Sequence, residues 1–520
     1  MTAREYHDRT AHSPASVRTS GHTLEWDIKP FPFKVYSDLP AIPLPREIDP
    51  PAIDALAALA GPAPAAPKLG LGELTAVLYY AAGVTRKKTY PGGGEVLFRA
   101  AASTGALFQT EVYVVVSAVS GLEAGLYHFC PGDFALRRVR PGDVRGALAA
   151  FAADDSLARR AATVLLTGIY WRNAWKYQAR AYRHLFWDSG TMLANLLAVA
   201  GALGLAPRLL TGFVDAEVNR LLGVDAAREA ALELVALGPD TAPAPVAVPL
   251  EAVEHATLPL SSSEVDYPLI RAIHTASSLP TADAVRAWRR PGGPHAAMGG
   301  DRPTVANDAG ARVVALPAPR KQVGRGLGET IQRRGSTRRF GHAALTAEEL
   351  GTALWAATRG LEADVPAGLI DLYLVVNAVE GVPAGAYVYR PTTHALELLA
   401  AGDFRNRSAY LCLEQPLGGD AAAVIYFLAR LDELTDLFGD RGYRLANLDA
   451  GLAGGRAYLA AYAQGFGASG LTFYDADVVQ FFSPHAAGKD AIFVTALGRS
   501  AADGRVTIDS NLTLRGRPSA

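Results

Sequence analysis

With 520 residues, the chain is longer than one hydrophobic core usually organises, and two or three domains are expected. Hydrophobic residues make up 50%, charged residues 19% and the formal net charge is -1, which argues against general binding to nucleic acid or to an anionic membrane. Cys130 and Cys412 stand far apart in no metal-ligand spacing, so a disulfide framework is excluded and a reducing cytoplasm fits.

The N-terminal stretch MTAREYHDRTAHSPAS is polar and charged with no apolar run, which predicts no signal peptide. Residues 1–45 read as an extended arm, since PFPFKVY and AIPLPREIDPP are too rich in proline for regular structure. His7 and His12 read as surface residues of that arm. A first domain is expected over 46–245. Within it, PGGGE (91–95) lacks the Gly-Lys-Ser/Thr ending of a phosphate loop and reads as a hairpin turn. EVYVVVSAV (111–119) is β-branched enough for a strand. The apolar stretch 191–210 approaches bilayer length, but Asn195, Gly201, Gly204, Pro207 and Arg208 interrupt it, and a buried helix is expected. Two Pro/Gly-rich segments, PDTAPAPVAVPLEAV and RRPGGPHAAMGGDRP, flank a helical piece at YPLIRAIHTA and define a linker over 246–325. The second domain, 326–520, opens with an amphipathic helix at LTAEELGTALWAATRG, continues with a strand at DLYLVVNAV and has a buried helix at 452–463.

The chain repeats itself. EVYVVVSAVSGLEAGLYHF (from 111) matches DLYLVVNAVEGVPAGAYVY (from 371), an offset of 260. RAYRHLFWDSG (from 180) matches RGYRLANLDAG (from 441) at 261, and LVALG (from 234) matches VTALG (from 494) at 260. Three blocks in one order at nearly one offset indicate a tandem duplication.

Three stretches carry candidate chemistry. RRGSTRRF (333–340) sets four arginines around a Gly-Ser-Thr turn before a helical segment, where backbone N–H groups, a hydroxyl and guanidinium forks can hold a phosphate. The ordinary alternative is a solvated basic helix start. RAAASTGALFQTEVYVVV (99–116) feeds small residues into a strand, which lets backbone approach a flat ligand closely; tight loop packing is the other reading. WRNAWKYQARAYR (171–183) sets Lys176 and Tyr177 among aromatics, where a lysine can lose its proton near neutral pH, although most such lysines only snorkel. Among the eleven histidines there is no HExxH motif and no convincing ligand pair, so no metal site is expected.

Together these stretches resemble the nitroreductase-fold flavoproteins, in particular their SagB-type branch of azoline dehydrogenases. RRGSTRRF is similar to that family's Arg-Arg-Ser-x-Arg-x-Phe phosphate signature. ASTGALFQTEVY, GLEAGLYHF and KYQARAYR are similar to the branch's Pro-Ser-Ala-Gly-Ala-Leu-Tyr-Pro-x-Glu, Gly-Leu-x-x-Gly-Leu-Tyr and Lys-Tyr-Gly-x-Arg-x-Tyr-Arg patterns. Ala102 and Gln109 replace the two prolines of the flavin-facing loop, which removes two constraints from it. The resemblance implies an α+β fold of two tandem nitroreductase-like domains, each a mixed, mainly antiparallel sheet flanked by helices, forming an intrachain pseudo-dimer.

It also implies roles. Arg334, Gly335, Ser336, Arg338 and Arg499 would hold the phosphate of FMN. Ser103, Thr104, Gly105 and Leu107 would face its ring, and the backbone at Leu471 and Thr472 would lie near N5. Lys176 would be the base or polarising acid, with Tyr177 orienting it. The signatures are split between the repeats. The first has AGPAPAAPKLG where the arginines should be and Pro239 in place of Arg499; the second has EADVPAGLID in place of the small-residue loop and Leu437-Phe438 in place of Lys176-Tyr177. One composite site, and one FMN per chain, is therefore expected. The implied activity is oxidation of thiazoline or oxazoline rings in a ribosomal peptide, alone or with a cyclodehydratase complex. An NAD(P)H-dependent nitroreductase or quinone reductase, or a non-catalytic scaffold of a peptide-modifying complex, stands as the alternative.

Overall fold

The structure, a computed structural model, describes residues 1–66, 68–89, 95–117, 119–245, 250–289, 312–366 and 368–501. Each repeat builds one seven-stranded antiparallel sheet, and the strand order is the same in both. The first runs Ile42–Pro43, Ala135–Pro141, Gly125–Cys130, Thr110–Val116, Arg160–Ile169, Glu229–Asp240, Arg208–Leu210. The second runs Val313–Ala315, Ala395–Ala401, Gly385–Arg390, Asp371–Val376, Ala423–Ala429, Asp490–Gly498, Gly467–Gly470. Every residue of the central strand Thr110–Val116 is buried, which is why its sequence does not alternate and runs apolar from Val112 on, while the buried Glu111 pairs with Arg172 and His128. A short parallel pair accompanies each sheet: Leu69–Gly70 with Val119–Ser120, and Leu345–Thr346 with Val379–Glu380. The α+β pseudo-dimer read from the sequence is the observed fold.

The halves meet along two long buried helices, Ala181–Ala202 and Arg441–Gln464. Their crossing is set by glycines. A Cβ on Gly190 would lie 2.6 Å from the Leu452 nitrogen, and one on Gly451 would lie 2.5 Å from the Trp187 carbonyl. Backbones can approach this closely only where there is no side chain. The apolar stretch at 191–210 is thus interface helix in its first part. Among the described residues no helix is long and apolar enough to cross a membrane.

Reciprocal ion pairs close the interface. Arg180 and Arg183 of the first repeat bind Asp475 of the second at 2.9 and 2.6 Å; Arg441 and Arg444 of the second bind Asp215 of the first, both at 2.7 Å. All six side chains are nearly inaccessible. Contacts exchanged in this way are the mark of a two-fold interface, here built within one chain. Replacing Asp475 by alanine strands two buried guanidiniums and should cost about 3–5 kcal/mol in urea unfolding. Asp215→Ala should cost a similar amount, and a loss below about 1 kcal/mol in either would mean the pairs are energetically idle.

The segment expected to be an extended arm is not extended at its start. Ala3–Arg9 and Pro14–Thr19 are helices, each opened by a capping box, Thr2 with Glu5 and Ser13 with Ser16. His7 is buried rather than exposed, and burial beside Arg183 holds its imidazole well below its ordinary pKa. His12 is partly buried and likewise lowered, to about 3. The reason is symmetry. Arg183 donates to the His7 carbonyl at 2.6 Å, and Arg444 donates to the His274 carbonyl, in the linker helix Pro268–Ala276, at 2.8 Å. The His12 carbonyl accepts from the Asp475 N–H and the His12 N–H donates to the Asp475 carboxylate, as Leu279 does with Asp215. Arm and linker are therefore equivalent parts of the repeat, each wedged against the other half. Residues 91–94 of PGGGE, expected as a hairpin turn, most of RRPGGPHAAMGGDRP and the residues from 502 lie outside the described residues.

Candidate active site

A cleft of about 430 Å³ opens between the repeats. One wall is Arg334, Gly335, Ser336 and Arg338 of the second repeat; the other is Ala101, Ala102, Ser103, Ala106 and Phe108 of the first. A hairpin of the first repeat, Val84–Thr89 with Glu95–Arg99, closes the third side with Arg86, Lys87, Lys88, Phe98 and Arg99.

The arginine stretch follows the helix Leu327–Arg333 and is stitched to the strand Gly467–Gly470 and to the residue after the strand Asp490–Gly498: Thr337 donates to the Ala468 carbonyl at 2.9 Å and Gly341 to the Arg499 carbonyl at 2.8 Å. Ser336 shares its hydroxyl hydrogen bond with Tyr458 at 3.3 Å. Arg334 is buried and donates to the carbonyls of Ala100 and Arg99 at 2.8 and 3.1 Å, so it also fastens the loop of the other half. Burial and the neighbouring Arg86 hold its guanidinium down to about 10.

The small-residue loop is held by a buried carboxylate. Asp188, on the long helix Ala181–Ala202, accepts from the Ser103 hydroxyl at 2.5 Å, the Thr104 hydroxyl at 2.7 Å and the Thr104 N–H at 2.9 Å. Gly105, Ala106 and Phe108 all have positive φ, at 66°, 54° and 52°. Backbone held there costs energy and recurs at functional sites, where surrounding contacts over-determine it. Gln109, at one of the proline-replaced positions, is fully buried, donates to the His184 carbonyl at 3.0 Å and accepts from Asn173 at 3.3 Å. Its side chain supplies a constraint that the missing proline does not.

Lys176 and Tyr177 end the helix Tyr170–Tyr177 beside this loop. An added Cβ on Gly105 would lie 3.0 Å from the Tyr177 hydroxyl. The Lys176 ammonium is lowered by its burial, then by Arg338 of the other half and by Lys29. The Tyr177 hydroxyl is raised, chiefly by burial and then by the Asp188 carboxylate. One arginine of the second repeat therefore acts on the Lys-Tyr pair of the first.

The corresponding region of the pseudo-symmetric site is filled. Asp364, from the stretch EADVPAGLID, accepts from the Thr211 N–H at 2.8 Å, the Thr211 hydroxyl at 3.0 Å and the Gly212 N–H at 2.9 Å, and pairs with Arg289 at 2.7 Å. Trp288 lies against Gly212 and donates to the Phe438 carbonyl at 3.1 Å.

The nitroreductase family model matches residues 48–238 and 331–496, one stretch in each half and together more than half of the chain. The chain belongs to the nitroreductase family. It is 29% identical over 161 residues to the "Putative nitroreductase MJ1384" of Methanocaldococcus jannaschii, a match covering 29% of this chain and 81% of that one. It is 27% identical over 129 residues to the microcin B17-processing protein McbC of Escherichia coli, covering 24% of this chain and 47% of McbC, so the match spans about half of McbC. A solved structure, that of "a putative nitroreductase" from Anabaena variabilis, superposes with a TM-score of 0.74 at 28% identity, covering 96% of this chain and 99% of that one. The tandem arrangement is thus found whole in another family member, and the likeness to McbC agrees with the SagB-type branch seen in the motifs.

Within this family member the expected site residues separate into groups. Arg334, Gly335, Ser336, Arg338 and Ser103 line the cleft; Thr104 and Gly105 belong to its loop, and Leu107 packs beneath it in the core. The hydroxyls of Ser103 and Thr104 are turned to Asp188, because a buried carboxylate needs those donors. Arg499 does not line the cleft; one of its nitrogens donates to both Glu349 oxygens, at 2.9 and 2.8 Å. The Leu471 N–H is taken by the Val494 carbonyl at 3.1 Å, whereas that of Thr472 has no hydrogen bond among the described residues. Its counterpart, Thr211, is the donor occupied by Asp364.

Asp188 and the hairpin cations escaped the sequence reading. The aspartate was visible as the repeated WDSG and LDAG, yet only its partners 84 residues earlier show its task. Burial raises its carboxyl to about 6, against an ordinary value of 3.8. A folded-state value raised in this way means the native protein binds the proton more tightly than the unfolded chain, so stability falls as pH climbs from about 4 to about 6. Asp188→Asn should flatten that segment of the stability–pH curve in denaturation measured across pH 4–7.

Proposed function

We propose that this protein is an FMN-dependent dehydrogenase that oxidises thiazoline or oxazoline rings of a ribosomal peptide to thiazole or oxazole. The observation that carries the reading is the composite cleft, with the phosphate-type stretch of one half facing the small-residue loop and the Lys176-Tyr177 pair of the other. Its residues fit the cofactor: Arg334 is a buried cation that no carboxylate offsets among the described residues, and the bare backbone of Gly335 lets a second guanidinium, that of Arg86, approach the cradle.

Arg334, Ser336 and Arg338 would hold the phosphate, and the backbone of Gly105 to Ala106 would lie along the ring. When bound, the flavin would supply the hydride acceptor. The protein's part is the proton. Lys176, with its ammonium lowered by burial and by two neighbouring cations, can reach the neutral amine that takes a proton from the azoline ring carbon. Tyr177 packs against Gly105 and keeps the lysine beside the loop. The similarity to a microcin-processing protein supports a peptide substrate, and a cyclodehydratase complex as partner follows from that chemistry.

The test is mass spectrometry of a thiazoline-bearing peptide incubated with FMN-reconstituted protein and air. Loss of two hydrogens per ring is expected. Rapid reduction of the flavin by NAD(P)H in stopped flow, with no change in the peptide, would replace this reading by that of a reductase.

A further inference from the structure

Arg86 reaches the cleft from the half that lacks the arginine stretch. It stands on the hairpin strand Val84–Thr89, opposite Phe98, and donates to the Arg334 carbonyl at 2.6 Å. Both of its terminal nitrogens lie 2.7 Å from where a Cβ on Gly335 would be, so the glycine is what admits the guanidinium. Its Nε is buried with no partner among the described residues. Burial lowers Arg86, and burial together with Arg86 lowers Arg334; no carboxylate offsets either cation among the described residues. Two adjacent guanidiniums in a low-dielectric site without a counter-ion repel each other and forfeit hydration. An anion placed between them reverses both costs.

We infer that Arg86 is a phosphate-binding residue contributed by the first repeat, so that one phosphate-class dianion bridges the two halves at Gly335. Naming the dianion as the FMN phosphate rests on the flavin reading; the paired guanidiniums do not.

The experiment strips the full chain of cofactor and titrates it with FMN, riboflavin and inorganic phosphate, following flavin fluorescence and thermal unfolding. Arg86→Ala should weaken FMN by roughly ten- to hundredfold and leave riboflavin, which has no phosphate, unchanged. Arg86→Lys, which keeps the charge but not the fork, should fall between. Without any anion, Arg86→Ala should unfold no earlier than the wild type, since the change relieves repulsion. Wild-type FMN affinity in Arg86→Ala, or an equal loss for FMN and riboflavin, overturns the inference, as does earlier unfolding of the stripped variant. Should the wild type bind no flavin, the flavin reading fails alone, and inorganic phosphate then decides: stabilisation of the wild type but not of Arg86→Ala supports the bridge, and equal shifts in both overturn it.

Discussion

Lys176→Ala should lower azoline turnover by roughly 10²–10⁴-fold, the usual contribution of a positioned proton-transfer group, and should leave FMN bound. Lys176 lies outside the phosphate cradle, and the second repeat has replaced its equivalent by Leu437 while keeping the RGYR frame that follows. The pH profile makes the expectation specific. A base must be neutral, and the Lys176 ammonium is depressed by burial, Arg338 and Lys29. Wild-type kcat should therefore rise with pH through the lysine's lowered pKa, a limb that the alanine variant loses. Tyr177→Phe should cost less, since its ring packing beside Gly105 and His184 survives the loss of the hydroxyl. Wild-type turnover in Lys176→Ala would remove the lysine from the mechanism.

One FMN should bind per chain, where a symmetric pair of such domains would hold two. Each charge-assisted contact to phosphate contributes about 1.5–3 kcal/mol, so a half without the arginines loses several kcal/mol of affinity. Every 1.4 kcal/mol is about tenfold, which takes even a nanomolar site out of useful range. The fold adds a second obstacle: Asp364, Arg289 and Trp288 occupy the corresponding region, and the donors of Thr211 and Gly212 are already satisfied. Flavin absorbance of denatured protein, divided by chain concentration at saturating FMN, should give a ratio near one. Arg334→Ala with Arg338→Ala should give a folded, colourless protein, because the glycine crossing of the two long helices is untouched. A ratio near two would show the second site alive. Asp364→Ala should not raise the count, because the cations are still missing.

Elements with a local cause were legible in the sequence. The strands at 111–119 and 371–379 follow from β-branched runs, and the interface helices from apolar stretches too interrupted to be membrane spans. The helices of the first twenty residues carried a local signal as well, since Thr2-x-x-Glu5 is a capping box and Pro14 suits a first helical turn. Prolines further along the arm drew the reading away from them.

The sequence by itself determined that the chain is a duplicated unit of nitroreductase type and that the motifs of that type are divided between its halves. The duplication rests on residue identities at one repeated offset and the type on the motifs themselves, and neither needs coordinates. Only the tertiary structure decided which groups meet. Asp188 finds Ser103 and Thr104 across 85 and 84 residues, Arg86 finds Arg334 across 248, and Asp364 finds Thr211 across 153. Such pairs are fixed by the packing of two sheets and two crossed helices, and no local pattern records which buried donor a distant carboxylate or guanidinium will face.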